Sequence, residues 1–508
     1  MKHTLLYSTL LLAATMLLGS CSDWLDVKGE NIKKEVDQFD SYKGFRDALT
    51  GCYMQMASTD TYGQRLTMTD IEDLADLWYC TADLETDRPT SYYLHHHNYD
   101  KDYARTAIKA IYAQLFKTIA SANVVIKNVE EKGGNIGDDS KRNMILGEAY
   151  AIRAYCQLDV LRLFGPCPAD SASSAVKLPY SFTTSVKEMP AYYSFHDYVA
   201  LLDKDLDQAL ALLKGSDPIF SNTFAALNAP STDVDDDYTY YRQARLNYWA
   251  VKALQTRERL YLGRKQQAHD EALEIINAKG SDGNPLISLS GIQDFAKGYN
   301  ALPSECLFYL SKYDVNTYAN KVLVGGNTGQ ARSNDYYVSD DMLKGLYASL
   351  PGATASHNRY LNEWYRTRKD PLANTCPTIK KYWYDSDQDY NQTVLTTKLQ
   401  VIPMLRLSEM YLTAMETSES LSEIQSLYNT YMSQCAFTLY QPFTSVSQAH
   451  EEIANEWRRE FFAEGQMFYA YKRQKATRLW NGGEMKAESY VVPLPQTEYD
   501  PSTVSNNQ

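Results

Sequence analysis

Apolar residues recur at three- and four-residue steps along most of the chain, the period of one face of an α-helix. Phe45, Leu49, Tyr53 and Met56 follow this spacing. Ile108, Ile111, Tyr112, Leu115, Ile119 and Ala122 do the same within a predicted helix over 105–129, stopped by Glu131-Lys132-Gly133-Gly134. Further helices are predicted over 142–164, ended by Gly165-Pro166-Cys167-Pro168, and over 195–213. Residues 246–262 and 266–278 read as two helices joined at Gly263-Arg264. The second carries Ala268, Ala272 and Ile276, small or slim residues that let two helices approach closely, as in a tetratricopeptide pair. Residues 403–416 and 421–432 predict another such pair.

The periodicity breaks over 58–104, 165–194, 215–240 and 279–400, where most of the Gly, Pro, Asn and Asp collect. These stretches are expected to be long irregular loops, with short strands such as 306–310. They are rich in aromatics: Trp78, Tyr79, Tyr92, Tyr93, Tyr99, Tyr336, Tyr337, Trp364, Tyr365, Tyr382, Trp383 and Tyr384. The expected fold is mainly α: helix pairs as a scaffold, carrying long aromatic insertions suited to ligand binding.

The start of the chain follows a different rule. Lys2-His3 precedes a mostly apolar run from Leu5 to Leu18, then Gly19-Ser20-Cys21. A basic start, a short apolar stretch and small residues make a secretory signal over 1–20. A cysteine directly after the small residues is the pattern of a bacterial lipoprotein, with Cys21 as the lipidated N-terminus. A buried methylene contributes about 0.8 kcal/mol, so the several acyl chains of such an anchor hold firmly. Ser22-Asp23 and Asp26 give an acidic start, interrupted by Trp24, similar to the surface-export tag of Bacteroidota lipoproteins. The expected location is the outer membrane, lipid-anchored and facing outward.

Composition narrows the partners. The formal net charge of −13, without a basic cluster, argues against nucleic acid. Lipidation leaves seven of the eight cysteines, none in CxxC spacing, so they are expected to be buried small hydrophobes rather than a disulfide framework or zinc site. Tyrosine stands out, with 41 against 15 Phe and 7 Trp, as on surfaces that must be apolar and hydrogen-bonding at once. His95-His96-His97 and the Asp233–Asp237 run lack the spacing of a zinc or calcium site and are expected to be solvated loops. No GxSxG, Walker or HExxH pattern is present. No catalytic residue, cofactor or metal is therefore expected.

Three ordered stretches carry a family resemblance. The first is Ala151-Ile152-Arg153-Ala154-Tyr155, continuing through Leu161-Arg162-Leu163-Phe164-Gly165 to Pro168. The second is Leu405-Arg406-Leu407-Ser408-Glu409-Met410-Tyr411-Leu412. The third is Trp457-Arg458-Arg459-Glu460, then Phe462-Ala463-Glu464-Gly465, Phe468, Lys472-Arg473 and Pro493-Leu494-Pro495-Gln496. Behind a lipoprotein signal, this set resembles the SusD/RagB family of Bacteroidota outer-membrane lipoproteins. Met467, Ala470, Cys156 and Gln157 depart from the family's pattern at scaffold positions. The resemblance implies one SusD-like domain over 21–508, with a variable ligand-binding region at 279–400 and the loop 58–104. It also implies non-catalytic capture of nutrient oligomers, most often glycans, for a SusC-like TonB-dependent transporter. A peptide ligand, a surface glycoside hydrolase and a helical envelope adaptor stay open as other readings.

Arg459, Glu460 and Glu464 are expected on one helix, in salt-bridged packing rather than catalysis. Ligand contacts are sought instead among the loop aromatics and their polar neighbours: Trp78, Tyr79, Tyr92, Tyr93, Asn98 and Trp364, with Arg65 and Asp70. Sugar C–H faces stack on rings, while hydroxyls bond to amides, carboxylates, guanidinium groups and water. Replacing the anchor, Cys21→Ala, is expected to move the protein from the membrane fraction to the soluble fraction with unchanged ligand affinity. Fractionation of cells and calorimetry on the purified protein check this, and a lost affinity would contradict it.

Overall fold

The computed structural model describes residues 35–231, 236–324, 335–370, 372–383 and 400–495. Cys21, Trp24, Asp233, Asp235, Tyr384 and Gln496 lie outside them. Helices dominate. α1 (Tyr42–Met56) precedes the long packed pair α2 (Asp102–Lys132) and α3 (Asp139–Phe164), and α4 (Phe195–Leu213) packs on α3. The pair predicted around Gly263 is α5 (Tyr248–Tyr261) and α6 (Lys265–Ile276). α6 packs against α7 (Leu407–Thr417), which meets α8 (Leu421–Ser433) and α9 (Val446–Glu460); α10 (Met467–Gln474) follows. Helix starts are set locally by side chains that accept a backbone N–H of the first turn: Ser41, Asp138, Ser194, Asn247, Ser420 and Ser445.

α3 is the axis of the core. Every residue from Ala151 to Phe164 is buried, as expected of a helix covered on all sides. Its polar residues are therefore paired. Arg153 forks onto Asp205 at 2.6 and 2.7 Å and donates to Asn123 Oδ1 at 2.8 Å. Lys472 donates to the carbonyls of Arg162, Leu163 and Gly165 at 2.7, 3.1 and 2.7 Å, satisfying acceptors left open at the end of α3. Met467 and Ala470, where the family pattern is broken, are buried on α10.

Strands are few and short among the described residues. β1 (Leu178–Pro179) pairs with β2 (Tyr192–Tyr193), β3 (Cys306–Ser311) with β6 (Val401–Arg406), and β4 (Trp364–Tyr365) with β5 (Thr378–Ile379), all antiparallel. β6 corrects an expectation, because residues 403–406 were to open a helix. A short apolar run fits either period. Val401 and Ile402 favour the strand, Pro403 opposite Tyr309 is tolerated in a two-stranded sheet, and helix begins only at Leu407. The insertions are irregular but not structureless, with short helices at Asp70–Leu74, Leu84–Asp87, Pro89–His95 and Asp340–Leu346.

The motif residues converge on one buried ion cluster. Arg406, at the end of β6, forks onto Glu464 at 2.7 and 3.0 Å, and reaches Glu460 at 2.5 Å and Glu305 at 2.6 Å. Arg359 pairs with the other oxygen of Glu460. Lys381 Nζ meets Glu464 at 2.6 Å and Glu363 at 3.3 Å. All these side chains are essentially inaccessible to water. α9 ends at Glu460, so Glu464 lies in the following turn and not on the same helix. Arg459 points elsewhere, to Glu452, Glu456 and the Leu346 carbonyl. The packing role expected for these residues holds, with different partners.

Burial opposes ionisation of Glu460, but Arg359 and Arg406, helped by the Tyr431 hydroxyl, hold its carboxyl well below the usual range. A carboxyl depressed in the folded state contributes stability above its unfolded pKa, and that stability is lost as pH falls through the folded value. Glu460→Gln leaves buried guanidinium charge uncompensated and is expected to cost about 3–5 kcal/mol. Chemical denaturation checks this, and the variant should lose less stability than the parent on acidification below about pH 4.

Candidate functional site

The turn after α9 carries Phe462 and is held from two sides. Lys381 Nζ donates to the carbonyls of Glu460 and Phe462, both at 3.0 Å. Glu72 accepts the backbone N–H of Ala463 at 3.1 Å and of Gly465 at 2.7 Å. Gly465 has φ +73°, and a Cβ there would lie 2.0 Å from the Leu66 carbonyl oxygen, so glycine is required. Burial pushes the Glu72 carboxyl up to about 8, even with these two N–H donors and nearby Lys381.

On Phe462 rests an aromatic layer made of dipeptides. Trp78-Tyr79, Tyr336-Tyr337 and Trp364-Tyr365 lie on neighbouring segments, the last of them strand β4. Tyr79 N donates to the Tyr337 carbonyl at 2.9 Å, Val338 N to the Pro377 carbonyl at 2.9 Å, and β4 pairs Tyr365 with Thr378. In extended chain, successive side chains face opposite sides. The first ring of each dipeptide points in. Trp78 and Trp364 pack on Phe462 at 4.9 and 5.0 Å between centroids, and Tyr336 packs on Trp78 at 5.7 Å. The second ring points out. Tyr79 is 36 % exposed and lies 5.7 Å from half-buried Tyr337, tilted 39°. Tyr365 and Trp383, both half-buried, meet at 5.5 Å.

A second aromatic group lies on and after the short helix Pro89–His95. Tyr92 contacts His96 at 4.3 Å and Tyr93 at 5.4 Å; Tyr93 stacks on exposed Tyr103 at 6.4 Å and 17°, with Lys101 over its face. Asn98 is exposed beside it. His95 and Asp76 tie this helix to the layer. His95 Nε2 lies 3.1 Å from Asp76 Oδ1, and Asn481 Nδ2 donates to the same oxygen at 3.4 Å. Burial raises the Asp76 carboxyl to about 6 and lowers the His95 imidazole to about 4.

The expected site is thereby redrawn. Tyr79, Tyr92, Tyr93 and Asn98 reach the surface. Trp78 and Trp364, at 0 % and 3 % exposure, are core residues, and the Trp78 indole N–H is spent on the Met68 carbonyl. Arg65 pairs with buried Asp70 and, at 3.1 Å, with Asp60, so these two polar candidates satisfy each other. Tyr337, Tyr365, Trp383 and Tyr103 join the surface and were not singled out in sequence. Period-two alternation through the aromatic dipeptides is the signal that sorts inner from outer rings.

Other candidate chemistry resolves into packing. The histidine run is not a solvated loop: His95 and His97 are largely covered, with His97 Nε2 2.9 Å from the Leu74 carbonyl oxygen, and only His96 is exposed. Asp236 is not a free acid either. It accepts from Tyr42 at 2.9 Å, Lys141 at 2.7 Å and Arg46 at 3.1 Å. The cysteines from Cys52 to Cys435 are unpaired thiols, all buried except half-buried Cys80. Among the described residues no group of His, Cys, Asp or Glu is arranged to hold a metal ion.

Residues 311–506 match the sequence model of the SusD family. A SusD-like protein of Formosa agariphila is 28 % identical over 168 residues, which span 32 % of this chain and 30 % of that relative. A SusD superfamily protein of Bacteroides thetaiotaomicron superimposes with TM-score 0.65 at 20 % identity, over 91 % of this chain and 98 % of the other. A SusD-like carbohydrate binding protein of Bacteroides vulgatus gives 0.60 at 16 % identity, over 85 % and 83 %. A laminarin binding SusD-like protein gives 0.62 at 14 % identity, over 91 % and 97 %. These structural likenesses define a SusD-like fold. Residues 311–506 thus carry the sequence pattern of the SusD family, within a chain of SusD-like fold.

The inward and outward rings separate experimentally. Trp78→Ala is expected to cost about 3–5 kcal/mol of folding stability through the cavity it opens. Tyr79→Ala is expected to stay within about 1 kcal/mol of the parent, because it removes a partly exposed ring. Urea denaturation of both variants checks the contrast.

Proposed function

We propose that this chain is a non-catalytic glycan-binding lipoprotein of the cell surface, which captures oligosaccharides and passes them to a SusC-like TonB-dependent transporter. The observation that carries the reading is the outward aromatic row, Tyr79 with Tyr337 and Tyr365 with Trp383, set on a rigid inner layer. Flat, partly exposed rings offer stacking faces to sugars, and their fixed backs limit the ordering cost of binding. The carbohydrate-binding and laminarin-binding relatives of the same fold support a glycan ligand. Cys21 supplies the anchor and the family supplies the transporter partner. Among the described residues no helix is long and apolar enough to cross a membrane, which suits attachment by lipid. Residues 21–508 are proposed to act as one domain, with ligand contacts drawn from 58–104 and 279–400. Asp73, Asp76 and Glu363, on the segments that carry the row, are buried beside Arg88, His95 and Lys381 respectively, which suits binding better than hydrolysis.

Calorimetry or affinity electrophoresis against a panel of oligosaccharides tests the reading. Tyr79→Ala and Tyr337→Ala are each expected to weaken glycan binding by roughly tenfold, about 1.4 kcal/mol, with thermal stability retained. Binding of peptides but no glycan would overturn the ligand assignment, and release of shortened sugars would overturn the non-catalytic one.

A further inference from the structure

A hairpin after α10 carries an aromatic that lies in neither of the two loop regions. Residues 477–485 fold back on themselves. Met485 N donates to the Thr477 carbonyl at 2.9 Å, Leu479 N to the Gly483 carbonyl at 2.9 Å, and Gly482 N to the Leu479 carbonyl at 3.1 Å. Leu479 and Met485 are buried and root the hairpin, and Gly482, at φ +90°, allows its turn. Trp480 and Asn481 stand at the tip, half-buried and exposed respectively.

The tip is fastened to both segments that carry the Tyr79–Tyr337 pair. Asn481 Nδ2 donates to Asp76 Oδ1 at 3.4 Å, and Asp76 lies three residues before Tyr79, a stretch of chain that spans at most about 11 Å. A Cβ on Gly483 would lie 2.9 Å from Asp76 Oδ2, so the backbone of the hairpin meets this carboxylate as well. On the other segment, Asn481 Nδ2 lies 3.9 Å from Met342 Sδ, and the Trp480 ring lies 3.9 Å from where a Cβ on Gly345 would stand. Met342 and Gly345 belong to the helix Asp340–Leu346, which starts from Ser339, two residues after Tyr337. Asp76 is itself held in the left-handed region, at φ +55°, an uncommon state for a residue with a side chain. His95 Nε2, 3.1 Å from the same Oδ1, brings the helix of Tyr92 and Tyr93 to this carboxylate. One buried side chain thus joins three aromatic-bearing elements.

Trp480 is ordered before any ligand arrives. The Arg458 guanidinium lies over its ring at 5.7 Å, within reach of a cation–π contact. Arg458 is tied down in turn, by Nε to the Tyr471 hydroxyl at 3.1 Å and by Nη1 to Asn455 Oδ1 at 3.2 Å. A partly exposed indole held in this way offers a flat face to a sugar ring and an N–H to a hydroxyl, at a reduced ordering cost.

We propose that Trp480, with Asn481, is a distal ligand contact: the surface that begins at Tyr79 and Tyr337 continues onto this hairpin, and an oligosaccharide long enough to pass the Asp76 junction stacks on the Trp480 indole. The proposal rests on the glycan-binding reading above and adds a dependence on chain length. Titration of the full chain with β-glucan, galactan and mannan oligosaccharides of increasing length tests it. In the series that binds, affinity should rise with length. Trp480→Ala should weaken the longest members by at least about tenfold and leave the shortest within about twofold of the parent. Trp480→Phe, which keeps a ring, should restore most of the lost affinity. The longest members should also shift the tryptophan emission beyond what the shortest do, and that extra shift should be absent in Trp480→Phe. This second readout does not depend on the stability of the alanine variant. Equal binding of long oligosaccharides by the parent and Trp480→Ala, or equal losses for short and long ones, overturns the distal contact and leaves the glycan reading standing. Failure of every sugar to bind overturns both.

Discussion

Everything in the outer aromatic row depends on one arrangement of charges that no solvent reaches. Three cations, Arg359, Lys381 and Arg406, face five carboxylates, Glu72, Glu305, Glu363, Glu460 and Glu464. Removing such groups from water is expensive, so the cluster is a poor source of net stability. Its value lies in geometry. The fork of Arg406 fits Glu464 in one orientation, and Lys381 gathers Glu464 and two backbone carbonyls at one point. Four remote segments, around residues 72, 305, 381 and 406, are thereby fixed to the turn after α9.

That turn hands the order on. Phe462 projects from it as the platform for Trp78 and Trp364, whose neighbours Tyr79 and Tyr365 form part of the outer row. The sequence of dependence runs from buried charge, to a turn that only glycine can complete, to a core aromatic, to an exposed one. The exposed rings need no hydrogen bonds of their own to hold them. Their backbones are paired with adjacent segments, and their chain neighbours are locked beneath. A site built this way is rigid where the sequence alone suggests loops.

The scaffold was legible because helical periodicity and turn residues are local signals. The 195–213 helix matches residue for residue, and the pair around Gly263 falls within two residues of its predicted ends. β6 was misread because four apolar residues ahead of a helix carry no period of their own. The site was harder for a different reason. Trp78 and Tyr79 are equivalent in composition and loop position, and only the partner on each side, Phe462 or Tyr337, assigns one to core and one to surface. Arg406 and Glu464 lie 58 positions apart, a separation across which sequence gives no sign of contact.

The alternating dipeptides also govern how this surface can change over time. An outer ring can be exchanged for another residue without disturbing the inner one, because the two occupy opposite sides of the same backbone. Insertion or loss of a single residue within such a segment is another matter. It would turn the inner ring to water and drive the outer one into the core. Diversification of ligand choice should therefore proceed by substitution at positions such as 79, 337 and 365, with segment length held constant.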